Sequence, residues 1–280
     1  MREYIVLKGI ASGPTSVIMA GVHGNETCGI QAIECLLPSL QDLQDQILKG
    51  RVIFLLGNPL AVQEKKRFID VNLNRMFLSK LFSSDKIQDS YEYHRAKFLM
   101  SVLSNADALL DIHSTRNKSE PFILSDHPHI FDMINQFPIQ FKKVVSGIDD
   151  LHPGSSDGFM NSIGKIGICI ECGQHEDKDA IRNAKIAIYQ FLYNMGNLNL
   201  PTNEVEKVER TSVHLKGIYK TKTNSFILSQ VFNDFDPIKT DQIIATDGDN
   251  EVYVDEDGII LFAVNREKEG EEGFMFGKIV

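Results

Sequence analysis

The sequence contains no tryptophan and only four cysteines and nine prolines among its 280 residues. A chain of this length needs no disulfides to fold, so its few cysteines fit reduced thiols in a cytoplasmic protein. No apolar run approaches the roughly 20 residues of a membrane-spanning helix. The first residues also lack the apolar core of a signal peptide. We therefore expect a soluble, cytoplasmic protein.

Positive charge is also scarce. Lysine and arginine total 29 against 38 acidic residues, which gives a formal net charge of −9. This balance argues against a general nucleic-acid binder or an anchor to an anionic membrane. We expect neither partner. A small-molecule substrate remains the favoured ligand, and an oligomer is compatible with the sequence.

The pattern of apolar residues changes along the chain. Residues 16–22, 51–57, 108–113, 121–124, 143–146 and 166–171 read as strands. Helical spacing covers 26–37, 91–103, 130–136 and 179–195. These elements predict an α/β domain with a mixed, largely parallel sheet flanked by helices. After a polar linker near 201–204, strand-like runs at 205–220, 225–232, 242–246, 251–254 and 259–264 predict a small C-terminal all-β domain. The predicted domains are 1–202 and 203–280.

The most specific sequence motif directly follows the first predicted apolar strand. His23 and Glu26 stand three residues apart in a turn whose bends Gly21 and Gly24 permit. Imidazole and carboxylate are common zinc ligands, and a catalytic zinc site needs one more protein ligand. His113, at the end of another predicted strand, is the third candidate. Asp111 lies on the same strand face, where it is expected to accept the second imidazole N–H.

Three further groups fall near the ends of predicted strands, where ligands gather in such folds. Arg67 and the pair Asn74-Arg75 are suited to binding a carboxylate. Glu171 ends the last buried strand, where an unpaired carboxylate is costly as a core residue. Cys169 and Cys172 form a C-x-x-C pattern, but strand alternation points them to opposite faces, so we expect filler cysteines rather than a redox or zinc motif.

Together these motifs resemble the succinylglutamate desuccinylase/aspartoacylase family, relatives of the zinc carboxypeptidases. The resemblance rests on 21–26, the run Gly57-Asn58-Pro59, Arg67, the run 72–75, 111–113 and Glu171, in that order. It implies a zinc-carboxypeptidase-like fold and one Zn²⁺ ion per chain. The implied roles are metal binding by His23, Glu26 and His113, polarisation of the scissile carbonyl by Arg67, binding of a substrate carboxylate by Asn74 and Arg75, and general-base catalysis by Glu171.

Aspartoacylases carry an arginine and a tyrosine before the general base, and these read the aspartyl side chain. Residues 154–165 contain neither, and Asp157 and Asn161 stand near those places. An aspartate there would repel a second substrate carboxylate, which argues against N-acetylaspartate. Phe159 and Met160, in the same stretch, are more typical of core than of a pocket lining. In the C-terminal tail, Arg266 or Lys268 stands where aspartoacylases place a tyrosine.

The leading hypothesis is a zinc-dependent amidohydrolase that removes the acyl group from an N-acyl amino acid. Two alternatives stay open: a zinc carboxypeptidase acting on short or modified peptides, and a non-catalytic small-molecule binding protein. The resemblance also suggests that the small β domain acts as a lid over the cleft. His175, close to Glu171 in the sequence, is a candidate proton shuttle, whereas His94, His127, His129, His152 and His214 are expected on the surface.

Overall fold

The computed structural model describes residues 2–36, 49–78, 85–134, 141–198 and 209–280. Its eleven-stranded sheet has the order β1-β3-β2-β4-β7-β5-β6-β8-β14-β13-β10, and a three-stranded sheet has the order β12-β11-β9. The strands are β1 (Tyr4–Lys8), β2 (Ala11–Ala20), β3 (Lys49–Leu56), β4 (Ala108–Thr115), β5 (Phe122–Leu124), β6 (Lys143–Ser146), β7 (Ile166–Gln174), β8 (Thr211–Lys220), β9 (Phe226–Leu228), β10 (Asp236–Ile238), β11 (Ile243–Asp247), β12 (Asn250–Tyr253), β13 (Gly258–Leu261) and β14 (Glu272–Ile279).

The centre of the large sheet is parallel. β2 pairs in parallel with β3 and β4, and β4 pairs in parallel with β7. Their apolar residues are buried on both faces, which suits strands covered by helices on each side. Antiparallel pairs join β1 to β3 and β5 to β7. The α/β class with a mixed, largely parallel sheet is confirmed.

Helices cover both faces of this sheet. They are α1 (Cys28–Leu36), α2 (Pro59–Glu64), α3 (Asp85–Gln88), α4 (Tyr91–Leu103), α5 (Ile130–Ile134), α6 (Ile148–Leu151), α7 (Ser156–Ser162) and α8 (Lys178–Asn194), with a 3-10 turn at Leu73–Arg75. The apolar faces of α1 and α8 share one core with the central strands. α4 and α7 contribute to the core on the opposite face. Among the described residues, no helix is both long and apolar enough to cross a membrane.

The described C-terminal part is all β structure, as predicted, and its own strands pair antiparallel. Its strand β8 pairs in parallel with β6 and so extends the large sheet. Beyond β8, antiparallel pairs join β8 to β14, β14 to β13 and β13 to β10. The described residues 209–280 contain no helix. The proposed linker near 201–204 lies outside the described residues, and the division at 202/203 stays a prediction. β1, β10 and β14 were not predicted from the sequence.

Candidate metal centre and its cavity

The turn after β2 brings His23 and Glu26 together. Gly21 adopts a φ of +71°, and a Cβ on Gly24 would lie only 2.1 Å from the carbonyl carbon of Ala61. Only glycine therefore allows this turn to pack against α2. The result is a distance of 2.8 Å between His23 Nδ1 and Glu26 Oε1.

His113 reaches the same carboxylate from the neighbouring strand. Ala20 of β2 pairs with Ile112 of β4, so the next residue of β4 stands beside the turn. His113 Nδ1 lies 2.8 Å from Glu26 Oε2. The ligand atoms of His23, Glu26 and His113 all lie within 4.8 Å of one another, and all three residues are buried. The structure thus brings together the three predicted metal-binding residues.

The outer nitrogens of both imidazoles face other oxygens. His23 Nε2 lies 3.0 Å from Asn72 Oδ1. His113 Nε2 lies 3.1 Å from Asp111 Oδ2, which is an ion-pair distance but not a hydrogen bond. With the proton on Nε2, each Nδ1 lone pair points at a carboxylate oxygen, an arrangement that favours a cation between them. The donor set therefore fits a divalent metal such as zinc.

The charges of these three residues act on one another. Burial would raise the pKa of Glu26, but His23 and His113 hold it well below its usual range. Burial, with the charge of Arg67, lowers the pKa of His23 to about 4. Burial also opposes the charged form of His113, but Asp111 and Glu26 raise its pKa well above the usual value. An ionised carboxylate beside a neutral His23 is suited to a cation, and His113 must release its proton to become the third ligand.

The loop that carries the predicted substrate-binding residues is held by a buried glutamate. Glu92 of α4 accepts hydrogen bonds from the backbone N–H groups of Ile69, Asp70 and Val71 at 2.7, 3.1 and 3.2 Å. It also accepts one from Asn58 Nδ2 at 3.1 Å. These bonds position the segment between Arg67 and the 3-10 turn. Glu92 was not singled out from the sequence, because its partners are backbone groups of a distant loop.

Arg67, Asn74 and Arg75 all line the cavity beside the cluster. Arg67 Nη1 donates to Glu26 Oε1 at 3.0 Å, although its side chain is half exposed. The Asn74 Oδ1 atom accepts from the backbone N–H of Ser156 at 3.1 Å. Arg75 donates through Nη1 to the Asn74 carbonyl at 2.8 Å and through Nη2 to Glu272 at 3.3 Å. Burial lowers the pKa of Arg75.

Glu171 also lines the cavity, near the end of β7, and is 8% exposed. Its Oε2 atom has no hydrogen-bond partner. Burial, together with the charge of Glu26, raises the pKa of Glu171 well above its usual value. A buried cavity carboxyl group whose pKa is raised in this way is a candidate for proton transfer.

The cavity has a volume of about 250 Å³, and both halves of the chain line it. Its C-terminal lining residues are Phe262, Val264, Arg266, Glu272, Phe274 and Met275. Lys268 does not line it. His152 lines the cavity and is 4% exposed, with Nδ1 3.2 Å from Glu272 Oε1. Its expected surface position was therefore wrong. Nothing local in the sequence signals this contact, because the partner stands 120 residues later.

The structure also shows where the predicted cysteine, core and histidine residues around β7 lie. As strand alternation predicts, Cys169 lines the cavity with Glu171 whereas Cys172 packs in the core on the other face of β7. All four cysteines are free thiols. Phe159 and Met160 lie in the core rather than at the cavity. His175 lines the cavity, and its Nδ1 lies 2.9 Å from Ser114 Oγ.

The fold and the site define an α/β protein with a candidate metal centre under a small cavity. Residues 12–193 match the family model of the succinylglutamate desuccinylase/aspartoacylase catalytic domain. The chain belongs to the succinylglutamate desuccinylase/aspartoacylase family.

Three relatives illustrate the range of the family. A probable aspartoacylase from Nostoc sp. is 30% identical over 206 residues, which cover 65% of each chain. The N-acyl-aromatic-L-amino acid amidohydrolase of Rattus norvegicus is 26% identical over 79% of this chain and 76% of its own. A succinylglutamate desuccinylase of Shewanella frigidimarina is 46% identical over 32% of this chain and 25% of its own. The chain thus spans less than two thirds of the length of the first and the third.

Solved structures share the fold. The succinylglutamate desuccinylase of Vibrio cholerae has a TM-score of 0.79 at 17% identity, covering 100% of this chain and 86% of that one. A product-bound ectoine utilization protein from Ruegeria pomeroyi has a TM-score of 0.73 at 19% identity, covering 98% and 88%. At these identities the likeness establishes the common fold.

Proposed function

We propose that this protein is a zinc-dependent hydrolase that cleaves the amide bond of an N-acyl amino acid. The observation that carries the proposal is the convergence of His23, Glu26 and His113 beside a cavity that Glu171 and Arg75 also line. The two imidazoles and the carboxylate would hold one zinc ion. When bound, zinc acts as a Lewis acid and lowers the pKa of water toward about 7.

Glu171 is the proposed general base. Its carboxyl group faces the cavity without a hydrogen-bond partner at Oε2, so this atom is free to accept a proton from the attacking water. Burial raises its pKa and so favours the protonated form, which then delivers the proton to the departing amine. One group thus serves as base and then as acid.

Arg67 is proposed to stabilise the oxygen that becomes negative during attack. Its half-exposed guanidinium lies against the cluster through Glu26 and retains further N–H donors. A preorganised donor of this kind contributes roughly 3–4 kcal/mol to the transition state. Asn74 and Arg75 are proposed to bind the substrate carboxylate. The Asn74 Oδ1 atom is occupied by Ser156, which leaves its amide N–H groups for the ligand.

The size of the cavity favours a small substrate. A volume of about 250 Å³ lies below the roughly 300–1,000 Å³ typical of sites for drug-sized ligands. A ligand of the size of an N-acyl amino acid suits it better than a long peptide. The C-terminal part lines one side through Phe262, Phe274 and Met275, which supports the proposal that it acts as a lid.

The proposal is tested by incubating the zinc-loaded protein with N-acetyl, N-formyl and N-succinyl amino acids and with dipeptides, and measuring free amine with and without a chelator. We expect chelator-sensitive release from an acyl amino acid. Release from dipeptides alone would assign a carboxypeptidase. Binding without release from any compound would assign a binding protein and overturn the catalytic proposal.

A further inference from the structure

Asp157 is a buried acid that the proposed mechanism does not use. It stands in the first turn of α7, lines the cavity and is 2% exposed. The acids Asp149 and Asp111 lie near enough for their charges to raise its pKa, in addition to the larger effect of burial. Among the described residues it forms no ion pair with a lysine or arginine. An acid so placed lacks a compensating charge.

Four acidic side chains line the cavity among the described residues: Glu26, Asp157, Glu171 and Glu272. Glu26 belongs to the candidate metal cluster, and Glu171 is the proposed base. Glu272 is paired with Arg75 at 3.3 Å and with His152 at 3.2 Å. Asp157 is thus the remaining carboxyl group in the wall, with neither a proposed catalytic role nor a cationic partner at contact distance.

Asp157 lies close to the proposed carboxylate-binding pair. The residue before it, Ser156, donates its backbone N–H to Asn74 Oδ1 at 3.1 Å. Arg75 is near enough for the charge of Asp157 to raise its pKa, although burial dominates that pKa. A substrate whose carboxylate contacts Arg75 would therefore occupy a cavity whose wall includes Asp157.

We propose that Asp157 determines side-chain specificity and that the cavity takes N-acyl amino acids whose side chain carries a cationic amine, in preference to acidic ones. The inference rests on the proposed deacylase function. An ammonium group supplies the charge that Asp157 lacks, whereas a second carboxylate adds like charge to a buried acidic wall. Burial already raises the pKa of Asp157 to about 7, which shows how poorly its surroundings support the ionised form.

Binding and turnover are measured in parallel. The ligands are Nα-acetylornithine, N-acetylglutamine and N-acetylglutamate, the last two of which differ mainly in charge. Calorimetric titration uses the zinc-loaded Glu171→Gln protein, with and without Asp157→Asn. Amine release uses zinc-loaded protein with an intact Glu171. The matched control is Asp150→Asn, which removes one charge from an exposed position outside the cavity.

We expect at least about tenfold tighter binding of acetylornithine than of acetylglutamate. Asp157→Asn should reduce that ratio about tenfold, and Asp150→Asn should leave it unchanged. The same preference without amine release would support Asp157 while overturning the deacylase. Amine release with a preference that Asp157→Asn does not alter would overturn this inference alone. Failure of the folded, zinc-loaded protein to bind any of the three would also overturn it.

Discussion

Arg75 Nη2 lies 3.3 Å from Glu272 Oε1, so a guanidinium proposed to bind substrate meets a carboxylate from 197 residues further along the chain. Glu272 accepts from the guanidinium that is proposed to bind the substrate carboxylate. The contact also attaches β14 to the 3-10 turn of the α/β part. We therefore expect this ion pair both to restrain Arg75 and to compete with a substrate carboxylate for it.

Glu272→Gln should lower KM for an N-acyl amino acid several-fold with little change in kcat. Glutamine still accepts a hydrogen bond from Arg75 but removes the negative charge that competes with the substrate. Steady-state kinetics measures the effect. Glu271→Gln, the same change one residue earlier and outside the cavity lining, is the control. A rise in KM would mean that Glu272 mainly holds Arg75 in place.

Glu92→Ala should lower the free energy of unfolding by roughly 3 kcal/mol or more. The substitution removes a buried carboxylate that accepts hydrogen bonds from three backbone N–H groups and from Asn58. KM should also rise, since the released loop carries Arg67 and Arg75. Denaturant unfolding and steady-state kinetics measure the two effects.

Glu92→Gln is the graded control, because its single carbonyl oxygen can replace only part of the carboxylate. Stability should fall in the order wild type, Gln variant, Ala variant. A destabilised Ala variant with unchanged KM would show that the loop keeps its geometry without Glu92.

The parts of the site that were predictable from sequence are those in which a short motif lies at the end of a strand. His23 and Glu26 share one turn, and His113 ends a strand whose apolar pattern is plain. Parallel neighbours end at the same edge of a sheet, so their meeting follows from the strand assignment. The helix at 91–103 was also predicted with the bounds that it has in the structure, where Ser90 caps its first turn.

The parts that were not predictable depend on pairing between distant segments. His152 was expected on the surface because no nearby residue indicates its contact with Glu272. β14 was missed because its run contains glycine and charge, yet it pairs with β8 over seven positions. The strand conformation of β14 is therefore stabilised by its pairing with β8 rather than by the local propensity of its residues.

Glu26→Gln and Glu171→Gln should separate metal binding from proton transfer. Replacing the Glu26 carboxylate by an amide removes the charge that two imidazoles surround, so the purified protein should lose its metal. Glu171→Gln should keep the metal but lower kcat by roughly 10²–10⁴-fold. Metal content by atomic absorption and amine release give the two readouts. Loss of metal from both variants would place Glu171 in the metal site instead of in the proton-transfer step.

Asp234→Asn should make the protein more stable above pH 7 than the wild type. Asp234 is 7% exposed, and burial raises its pKa to about 7 from an ordinary 3.8. Between these values the folded state keeps the proton that the unfolded state releases, so this group lowers stability as pH rises, by up to roughly 4 kcal/mol. Asparagine has no such penalty and still accepts the 2.7 Å hydrogen bond from the Phe262 N–H.

Denaturant unfolding at pH 5 and pH 8.5 measures the difference, with the exposed Asp249→Asn as control. An advantage of equal size at both pH values would show that Asp234 does not titrate in this interval.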